Sequence, residues 1–213
     1  MGTTRLDRAQ VAEVALRLLN EVGLEALSLR RIAKELNVQA PALYWHFKSK
    51  QALLDEMATL MTARLTEEAP APSPGESWQE SLTGVARLLR RGLLAYRDGA
   101  KVYSGTRLTS TGHARRQEEF LRKLVDSGFT PSAAARAFSI VFTFTLGFVT
   151  EEQAVHPMPG ERAPGYDVEE RRAALAADHP LAAQVSADLF GDYEARFEEG
   201  LAAVVAGVGA TLR

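Results

Sequence analysis

The sequence predicts an all-α protein with a small N-terminal head and a larger helical-bundle body. Apolar residues recur at helical spacing through most of the 213 residues. No stretch shows sustained strand alternation bounded by hairpin turns. Residues typical of helix starts and ends stand at the borders of the periodic segments. Because 46% of the residues are hydrophobic, the chain can bury a sizeable core.

Composition narrows the class of protein further. The chain has no cysteine, and Arg5, Asp7 and Arg8 interrupt a signal-like start. The sequence shows no apolar run near the length needed to cross a bilayer, so we expect a soluble cytoplasmic protein. Residues 1–50 hold eight Arg and Lys against five Asp and Glu, a formal charge of +3, whereas the rest of the chain carries −5. The basic end is therefore expected to contact a polyanion.

Two helices are predicted at the start of the head, which comprises residues 1–50. The first follows Asp7, a good N-cap, and ends at Gly23. The second begins after Ser28, another N-cap, and ends at Asn37, a residue that tolerates the left-handed conformation. This second helix spans only about two turns.

The segment "QAPALYWHFKSK", residues 39–50, predicts a short third helix. Pro41 is tolerated in its first turn, and the helix is expected to end near Phe47. Two short helices joined by a tight turn form a helix-turn-helix unit. Consecutive residues step by about 100° around a helix, so four successive rings cannot share one face. We expect Leu43 and Phe47 to face the core and Tyr44 to flank the exposed edge.

The outer face of this third helix suits the major groove of DNA. Ala40, Pro41 and Ala42 are small and allow close approach to a thymine methyl. A glutamine can read adenine and an arginine can read guanine, while lysines and hydroxyls contact phosphates. The predicted DNA-contacting residues are Ser28, Arg30, Gln39, Ala40, Pro41, Ala42, Tyr44, Trp45, His46, Lys48 and Lys50. The alternative is an ordinary solvated basic face with a packed aromatic corner.

A longer helix capped by Ser49 is predicted to connect the head to the body over residues 51–68. The Pro-rich segment "APAPSPG", residues 69–75, follows it as a natural boundary. A Pro/Gly loop at 156–167 is a candidate lid. The body, residues 76–213, is expected to hold helices near 76–96, 113–127, 131–155, 180–190 and 192–213.

The stretch "LSLRRIAKELNVQAPALYWHFKSKQALLDEM" resembles the N-terminal signature of the tetracycline-repressor (TetR) family of bacterial transcriptional regulators. The body segments "GESWQESL", "YRDGAKV", "GTR", "FTLGFVTEEQ" and "FEEGLAAVVAG" are similar to the subgroup that contains the tetracycline repressor. The resemblance implies a DNA-binding homodimer joined by a four-helix bundle from the helices at 131–154 and 192–213. The residues favour this independently, since 133–149 is apolar nearly all round. A two-fold dimer implies a palindromic operator.

In tetracycline-responsive members of the family the effector is a magnesium chelate, and this sequence keeps only part of that site. Thr106 and Arg107 match the "GTR" turn, and Glu151 falls where a glutamate of the partner subunit helps hold the hydrated ion. Tyr103 stands where the family has a ligating histidine, and a neutral tyrosine is a poor magnesium ligand. We therefore expect no metal and an effector other than Mg-tetracycline. Other drug-contacting positions are replaced by Thr66, Val85, Leu89 and Phe120.

An apolar pocket is predicted in place of the chelate site, without a cofactor. It would suit a flat or bulky hydrophobic metabolite that carries one polar or anionic handle. Its expected residues are Leu89, Tyr103, Thr106, Arg107, Leu108, Gln117, Phe120, Leu121, Phe138, Phe142 and Glu151. The alternative is that the phenylalanines are simply core.

The sequence offers no enzyme motif. There is no phosphate-binding glycine loop, no G-x-S-x-G, no H-E-x-x-H and no cysteine nucleophile, and the four histidines show no metal spacing. Two other functions stay open at this point. An orphan or corepressor-responsive regulator would bind DNA without being released by a ligand. A pure small-molecule binding protein would leave the basic head unexplained.

Overall fold

Twelve α-helices make up the computed structural model, which describes residues 7–70, 73 and 75–213 and contains no strand in these ranges. The all-α prediction is therefore confirmed. In chain order the helices are α1 (Arg8–Ala26), α2 (Leu29–Glu35), α3 (Ala40–His46), α4 (Lys50–Glu68), α5 (Trp78–Leu94), α6 (Gly99–Tyr103), α7 (Ala114–Asp126), α8 (Pro131–Val155), α9 (Val168–Leu175), α10 (Pro180–Gln184), α11 (Ser186–Phe190) and α12 (Tyr193–Leu212).

The ends of the head helices lie at the residues expected to set them. Asp7 accepts a backbone hydrogen bond at 2.7 Å and forms a capping box that starts α1. Gly23, at φ +74°, breaks the helical geometry, although α1 resumes for a short stretch beyond it. Ser28 caps α2, and Asn37 follows that helix at φ +53°. Ser49 accepts a backbone hydrogen bond at 3.1 Å and starts α4.

A single hydrophobic cluster runs from the head into the body. Helices α1, α2 and α3 supply its head side, and Leu53, Met57 and Met61 add the inner face of α4. The same cluster continues into α5 through Leu89 and into α6 through Val102. Because α4 is packed on both sides, a shift of α4 must change the packing of head and body together.

The body is centred on a second hydrophobic cluster between α5, α7, α8 and α12. The ring of Trp78 packs edge-to-face on Phe129, with ring centroids 5.1 Å apart. The division of the chain into residues 1–50, 51–68 and 76–213 stays a prediction, since the first cluster crosses between the first two segments and the body. Residues 71, 72 and 74 of the Pro-rich segment lie outside the described residues.

The body contains two helices that the sequence does not predict, and it divides one that it does. α6 follows Asp98, which has φ +55°, and is only five residues long, too short to show a periodicity. α9 has no buried residue and so lacks an apolar stripe. The segment 180–190 is predicted as one helix, but the backbone of Val185 divides it into α10 and α11.

α8 corrects the expectation that no apolar run approaches the length needed to cross a bilayer. By length and composition alone it could cross a membrane, although one such helix is weak evidence because core helices of soluble proteins meet the same test. It packs against α5 and α12, yet only 33% of its most apolar stretch is buried. Its outer face exposes Ile140, Thr143 and Gly147, and α12 exposes a stripe of small residues, Ala202, Ala203, Ala206 and Gly207. These two helices together leave a broad face uncovered within the single chain.

Candidate DNA-binding face and effector cleft

The recognition helix α3 divides its aromatic residues between core and solvent. Leu43 and Phe47 are fully buried, as their spacing of four residues predicts. Tyr44 is 54% exposed and Trp45 is 80% exposed. An 80% exposed tryptophan contributes little to packing, so its position on this face needs another cause. The expectation that some of these rings point outward is confirmed.

The leading end of α3 is open to a large partner. Gln39 precedes the helix, and its amide makes no cap hydrogen bond to α3. Pro41 is exposed in the first turn, while Ala40 and Ala42 are half-buried. Small side chains at this end let the helix backbone come close to a groove wall.

Helix α2 contributes a hydroxyl and a guanidinium beside α3. The Ser28 Oγ accepts a hydrogen bond from the Arg31 backbone N–H at 3.3 Å, so its proton remains able to be donated. Ser28 and Arg30 are both exposed. A hydroxyl donor next to an exposed guanidinium is an arrangement that suits a phosphate or a base edge.

The two lysines after α3 have different surroundings. The Lys48 Nζ is exposed and lies 5.1 Å from the centre of the Trp45 ring. The Lys50 Nζ instead donates to the carbonyl oxygen of Leu24 at 2.8 Å. Lys50 is predicted as a phosphate contact, but here one of its donors joins α4 to the last turn of α1. Lys48 is therefore the better candidate for a phosphate contact.

A cleft of about 250 Å³ lies beside α4. Three threonines of one α4 face form one wall, and the loop that follows α6 forms the other. This volume lies just below the roughly 300–1,000 Å³ usual for small-molecule sites. The residues that line it are Thr59, Thr62, Ala63, Thr66, Glu67, Leu108, Ser110, Gly112 and His113.

Tyr103 joins this cleft to a row of aromatic rings. Its hydroxyl lies 2.7 Å from the Thr62 Oγ1, and burial raises the pKa of Tyr103, so it is a neutral phenol at physiological pH. The row continues through Phe142, Phe138 and Phe120, with successive ring centroids 6.1, 6.0 and 5.6 Å apart. All four rings are half-buried rather than fully buried. The predicted aromatic residues are thus brought together.

Other predicted pocket residues have different places. Leu108 lines the cleft, and the Thr106 Oγ1 donates to the Tyr103 carbonyl at 2.8 Å. Leu89 belongs to the hydrophobic core, and Leu121 packs on the second cluster. Three predicted polar contacts have exposed side chains and are not among the residues that line the cleft: Arg107, Gln117 and Glu151. The resemblance assigns Glu151 to the site of the partner subunit, so its place in one chain does not test that prediction. Arg107 uses its backbone N–H, which donates to Asp55 at 3.0 Å.

Thr59 and Thr62 are site residues that the sequence interpretation missed, whereas Thr66 was noted only as the residue at a drug-contacting position of the family. Thr59, Thr62 and Thr66 recur at the spacing of one helix face, which is a readable signal. The apolar face of α4 gives the stronger sequence signal, because hydroxyl side chains at this spacing are also typical of a solvated helix face. Ser110 and His113 carry no comparable pattern, because they come from a loop.

Polar contacts connect the cleft loop to the recognition helix. Thr109 donates through its backbone N–H to Thr59 at 2.8 Å and through its hydroxyl to Glu56 at 3.3 Å. Arg8 in turn donates to Glu56 at 2.7 Å and to the carbonyl oxygen of His46, the last residue of α3, at 2.5 Å. A movement of the loop after α6 would therefore be transmitted to the end of α3 through α4 and Arg8.

Two further clefts lie elsewhere on the body. One lies between α9 and α10, and another runs along α5 beside α12 and is lined by arginines that pair with glutamates across it. Of these three clefts, the α4 cleft is the one that touches both the predicted pocket and the helix that enters the head. Over residues 7–70, 73 and 75–213 no group of three or more His, Asp or Glu side chains is placed to hold a metal ion.

An exposed recognition helix, a long connecting helix and a helical body with a cleft beside that helix define a helix-turn-helix transcriptional regulator. Residues 11–57 match the family model of bacterial regulatory proteins of the tetR family, and residues 71–212 match that of tetracyclin repressor-like C-terminal domains. The chain therefore belongs to the TetR family of transcriptional repressors, as its sequence motifs indicate.

Individual relatives agree over nearly the full length. Tetracycline repressor protein class C of Escherichia coli is 39% identical over 206 residues, which cover 96% of this chain and 91% of that protein. A possible TetR family transcriptional regulator from Streptomyces coelicolor A3(2) has a crystal structure with TM-score 0.82 at 39% identity, covering 96% and 99% of the two chains. ActR of Streptomyces coelicolor, in complex with actinorhodin, gives a TM-score of 0.80 at 29% identity, covering 97% and 98%. Regulators of this family bind DNA and small molecules, form dimers and are not enzymes.

Proposed function

We propose that the protein is a homodimeric repressor that binds a palindromic operator and leaves it when a hydrophobic small molecule other than Mg-tetracycline binds the body. The observation that carries the proposal is the Tyr103 hydroxyl, 2.7 Å from the Thr62 Oγ1 where the α4 cleft meets the aromatic row. An effector bound there would press directly on the helix that enters the head.

Operator recognition is assigned to the outer face of the head. Gln39 and Pro41 would enter the major groove first, because they are exposed at the leading end of α3. Tyr44 and Lys48 would contact phosphates and fix the position of the helix. The 80% exposure of Trp45 supports this role, since a covered DNA interface accounts for an aromatic side chain that packing does not use.

Dimerisation is assigned to the uncovered face of α8 and α12. Ile140 is 42% exposed on this face, and the small residues of α12 allow close helix approach. A two-fold axis through a four-helix bundle would place the two α3 helices symmetrically on DNA. Half-sites about one helical turn apart, or a multiple of it, follow from that symmetry.

Mg-tetracycline is excluded from the proposal on coordination chemistry. The position that resembles the family's ligating histidine is the phenol Tyr103, which burial keeps neutral. Carboxylates, carbonyls and imidazoles bind divalent cations better than a neutral phenol does. The complex of ActR with actinorhodin supports the idea that a protein of this shape can bind a small molecule other than tetracycline.

The response itself would be thermodynamic. A ligand weakens DNA binding only by its differential affinity for the body conformation that holds the two heads too far apart. α4 is the element that both sites can bias, because the shared hydrophobic cluster packs against it from head and body.

The first test is fluorescence-anisotropy binding to the DNA upstream of the protein's own coding sequence. The proposal expects tight, salt-dependent binding that a hydrophobic compound reverses and that tetracycline with magnesium does not. A magnesium-dependent tetracycline affinity of micromolar or tighter would refute the effector assignment. Binding that no compound reverses would favour the orphan regulator, and binding that a compound strengthens would favour the corepressor-responsive one.

A second test separates the DNA face from the rest of the surface. Lys48→Ala should weaken binding uniformly across operator sequences and reduce the magnitude of the salt slope by about 1, since one phosphate contact is lost. Arg115→Ala is the matched control, because Arg115 is 89% exposed on α7, outside the head. Equal loss of DNA affinity in both variants would contradict the assignment of α3.

A further inference from the structure

The three threonines of the α4 wall use their hydroxyl protons inside the helix. The Thr59 Oγ1 donates to the Asp55 carbonyl at 2.7 Å, Thr62 to the Ala58 carbonyl at 2.8 Å and Thr66 to the Thr62 carbonyl at 2.8 Å. A hydroxyl has one proton and two acceptor lone pairs. Each of these side chains can therefore offer a ligand only acceptor sites.

The acceptor sites are not equally available. Thr59 already accepts from the Thr109 N–H at 2.8 Å. The single proton of the Thr109 hydroxyl is shared between Thr59 at 3.1 Å and Glu56 at 3.3 Å, so at most one lone pair of Thr59 is available. Thr62 accepts from the Tyr103 phenol at 2.7 Å, which leaves one lone pair. Among the residues that the structure describes nothing donates to the Thr66 Oγ1, which leaves two.

Tyr103 adds no free proton to this wall. Its neutral phenol gives its proton to Thr62, because the Thr62 proton is already directed to Ala58. Glu67, also in the wall, contributes a carboxylate, which at neutral pH is an acceptor as well. Ser110 and His113 on the opposite side can both donate and accept, so they do not decide the polarity of the ligand edge that faces α4.

We infer that the effector donates hydrogen bonds along the edge that faces α4, and that it carries no anionic group on that edge. The inference rests on the proposed function and names the chemistry of its ligand. It replaces the anionic handle that the sequence suggests, since Arg107 and Gln117 do not line the cleft.

Geometry fixes the spacing of the donors. Thr62 and Thr66 are four residues apart, so their hydroxyls are separated by about 6 Å along α4. A ligand with two hydroxyls about 6 Å apart on one edge can meet both threonines.

The test is isothermal titration calorimetry of the full-length protein with three probes of one shape. These are a dihydroxyphenanthrene with both hydroxyls on one edge, its dimethyl ether, and the corresponding phenanthrene dicarboxylate. The diol should bind at least about tenfold more tightly than the ether, because two hydrogen bonds are lost on methylation. The dicarboxylate should bind most weakly, since acceptors and the Glu67 charge face it.

Thr66→Val keeps the shape of the side chain and removes its lone pairs. It should bring the diol-to-ether ratio of affinities down several-fold while the ether affinity stays within about twofold. Thr211→Val is the matched control, because Thr211 makes the same bond to the carbonyl four residues before it, at 2.7 Å, on exposed α12. This control should leave the ratio unchanged.

Three results would overturn the inference: an ether that binds as well as the diol, a dicarboxylate that binds best, or no binding by any probe. An unchanged ratio in Thr66→Val would do the same. These outcomes are separate from the proposed function, which is measured by operator binding in the absence of any probe. Loss of operator binding with an intact diol preference would reject the repressor role and keep the ligand chemistry.

Discussion

The inside of the body and the seam between head and body hold their charges in different ways. Inside the body, Arg90 of α5 donates to both carboxylate oxygens of Glu152 at 2.8 and 2.9 Å, and both side chains are only 10% exposed. At the seam, the Arg8–Glu56 pair joins α1 to α4, with its arginine 41% and its glutamate 15% exposed. Removing one partner of a buried pair costs far more than removing one partner of an exposed pair. A buried pair thus ties α5 to α8, whereas a partly exposed pair ties α1 to α4.

Breaking the buried pair should have the largest effect. Glu152→Ala leaves the Arg90 guanidinium buried with only the exposed Glu194 as its acidic partner, and we expect a loss of roughly 3–5 kcal/mol in the free energy of unfolding. Urea denaturation measures this loss. The neighbouring Glu151→Ala, on the exposed side of the same helix, should change the free energy by less than about 0.5 kcal/mol. Similar losses in the two variants would remove the contrast between the inside of the body and the seam.

The carboxylate of Asp98 at the seam should make the stability of the fold depend on pH. Burial opposes its charged form, but hydrogen bonds from the Leu24 N–H and from Lys101, with the charge of Arg97, outweigh burial and lower the pKa of Asp98. A lowered pKa in the folded state stabilises the fold above the unfolded value near 3.9 and loses that contribution as the pH falls through the folded value.

Asp98→Asn should therefore cost about 1–2 kcal/mol at neutral pH, because one hydrogen bond to a charged group is weakened. The difference from the unmutated chain should shrink when urea denaturation is repeated near pH 3. A difference that persists or grows in acid would show that the carboxylate charge is not what holds the α1 turn to α6.

The variant with the smallest expected effect on stability, Glu56→Gln, tests how the effector signal reaches α3. Glu56→Gln weakens the link between Thr109 and Arg8, and it should change stability by less than about 0.5 kcal/mol because the pair is partly exposed. It should nevertheless reduce the ratio of operator affinities measured without and with effector by several-fold. Anisotropy titrations at saturating effector measure this ratio. An unchanged ratio would mean that the signal reaches α3 through apolar packing alone.

The sequence predicted the parts of the molecule that local chemistry determines. Ser28, Asn37 and Ser49 end or start helices through their own backbone preferences, so the helix-turn-helix could be located without a structure. Lys50 shows the limit, because its bond to the Leu24 carbonyl depends on how α4 lies against the α1 turn. The spacing of the α4 threonines predicts a hydroxyl face. Whether that face donates or accepts hydrogen bonds depends on which backbone carbonyl each hydroxyl proton binds, and this requires the structure.

The region after α8 shows a different limit. α9, α10 and α11 pack mainly on one another, and Leu181 is 72% exposed among them. Because no stripe of buried apolar residues marks these helices, hydrophobic periodicity does not reveal the break at Val185, and one helix is predicted over 180–190 where the structure has two. A helix can be predicted from hydrophobic periodicity when one of its faces is buried, whatever its intrinsic helix propensity.

The two tryptophans also form a built-in pair of optical reporters. Trp45 stands in water on the recognition helix at 80% exposure, whereas Trp78 is 6% exposed and packed against Phe129 in the body. A soluble quencher such as iodide should reach the first ring and not the second. Emission from one unlabelled sample can thus be separated into a signal from the head, which changes when DNA covers it, and one from the body, which changes when its packing changes.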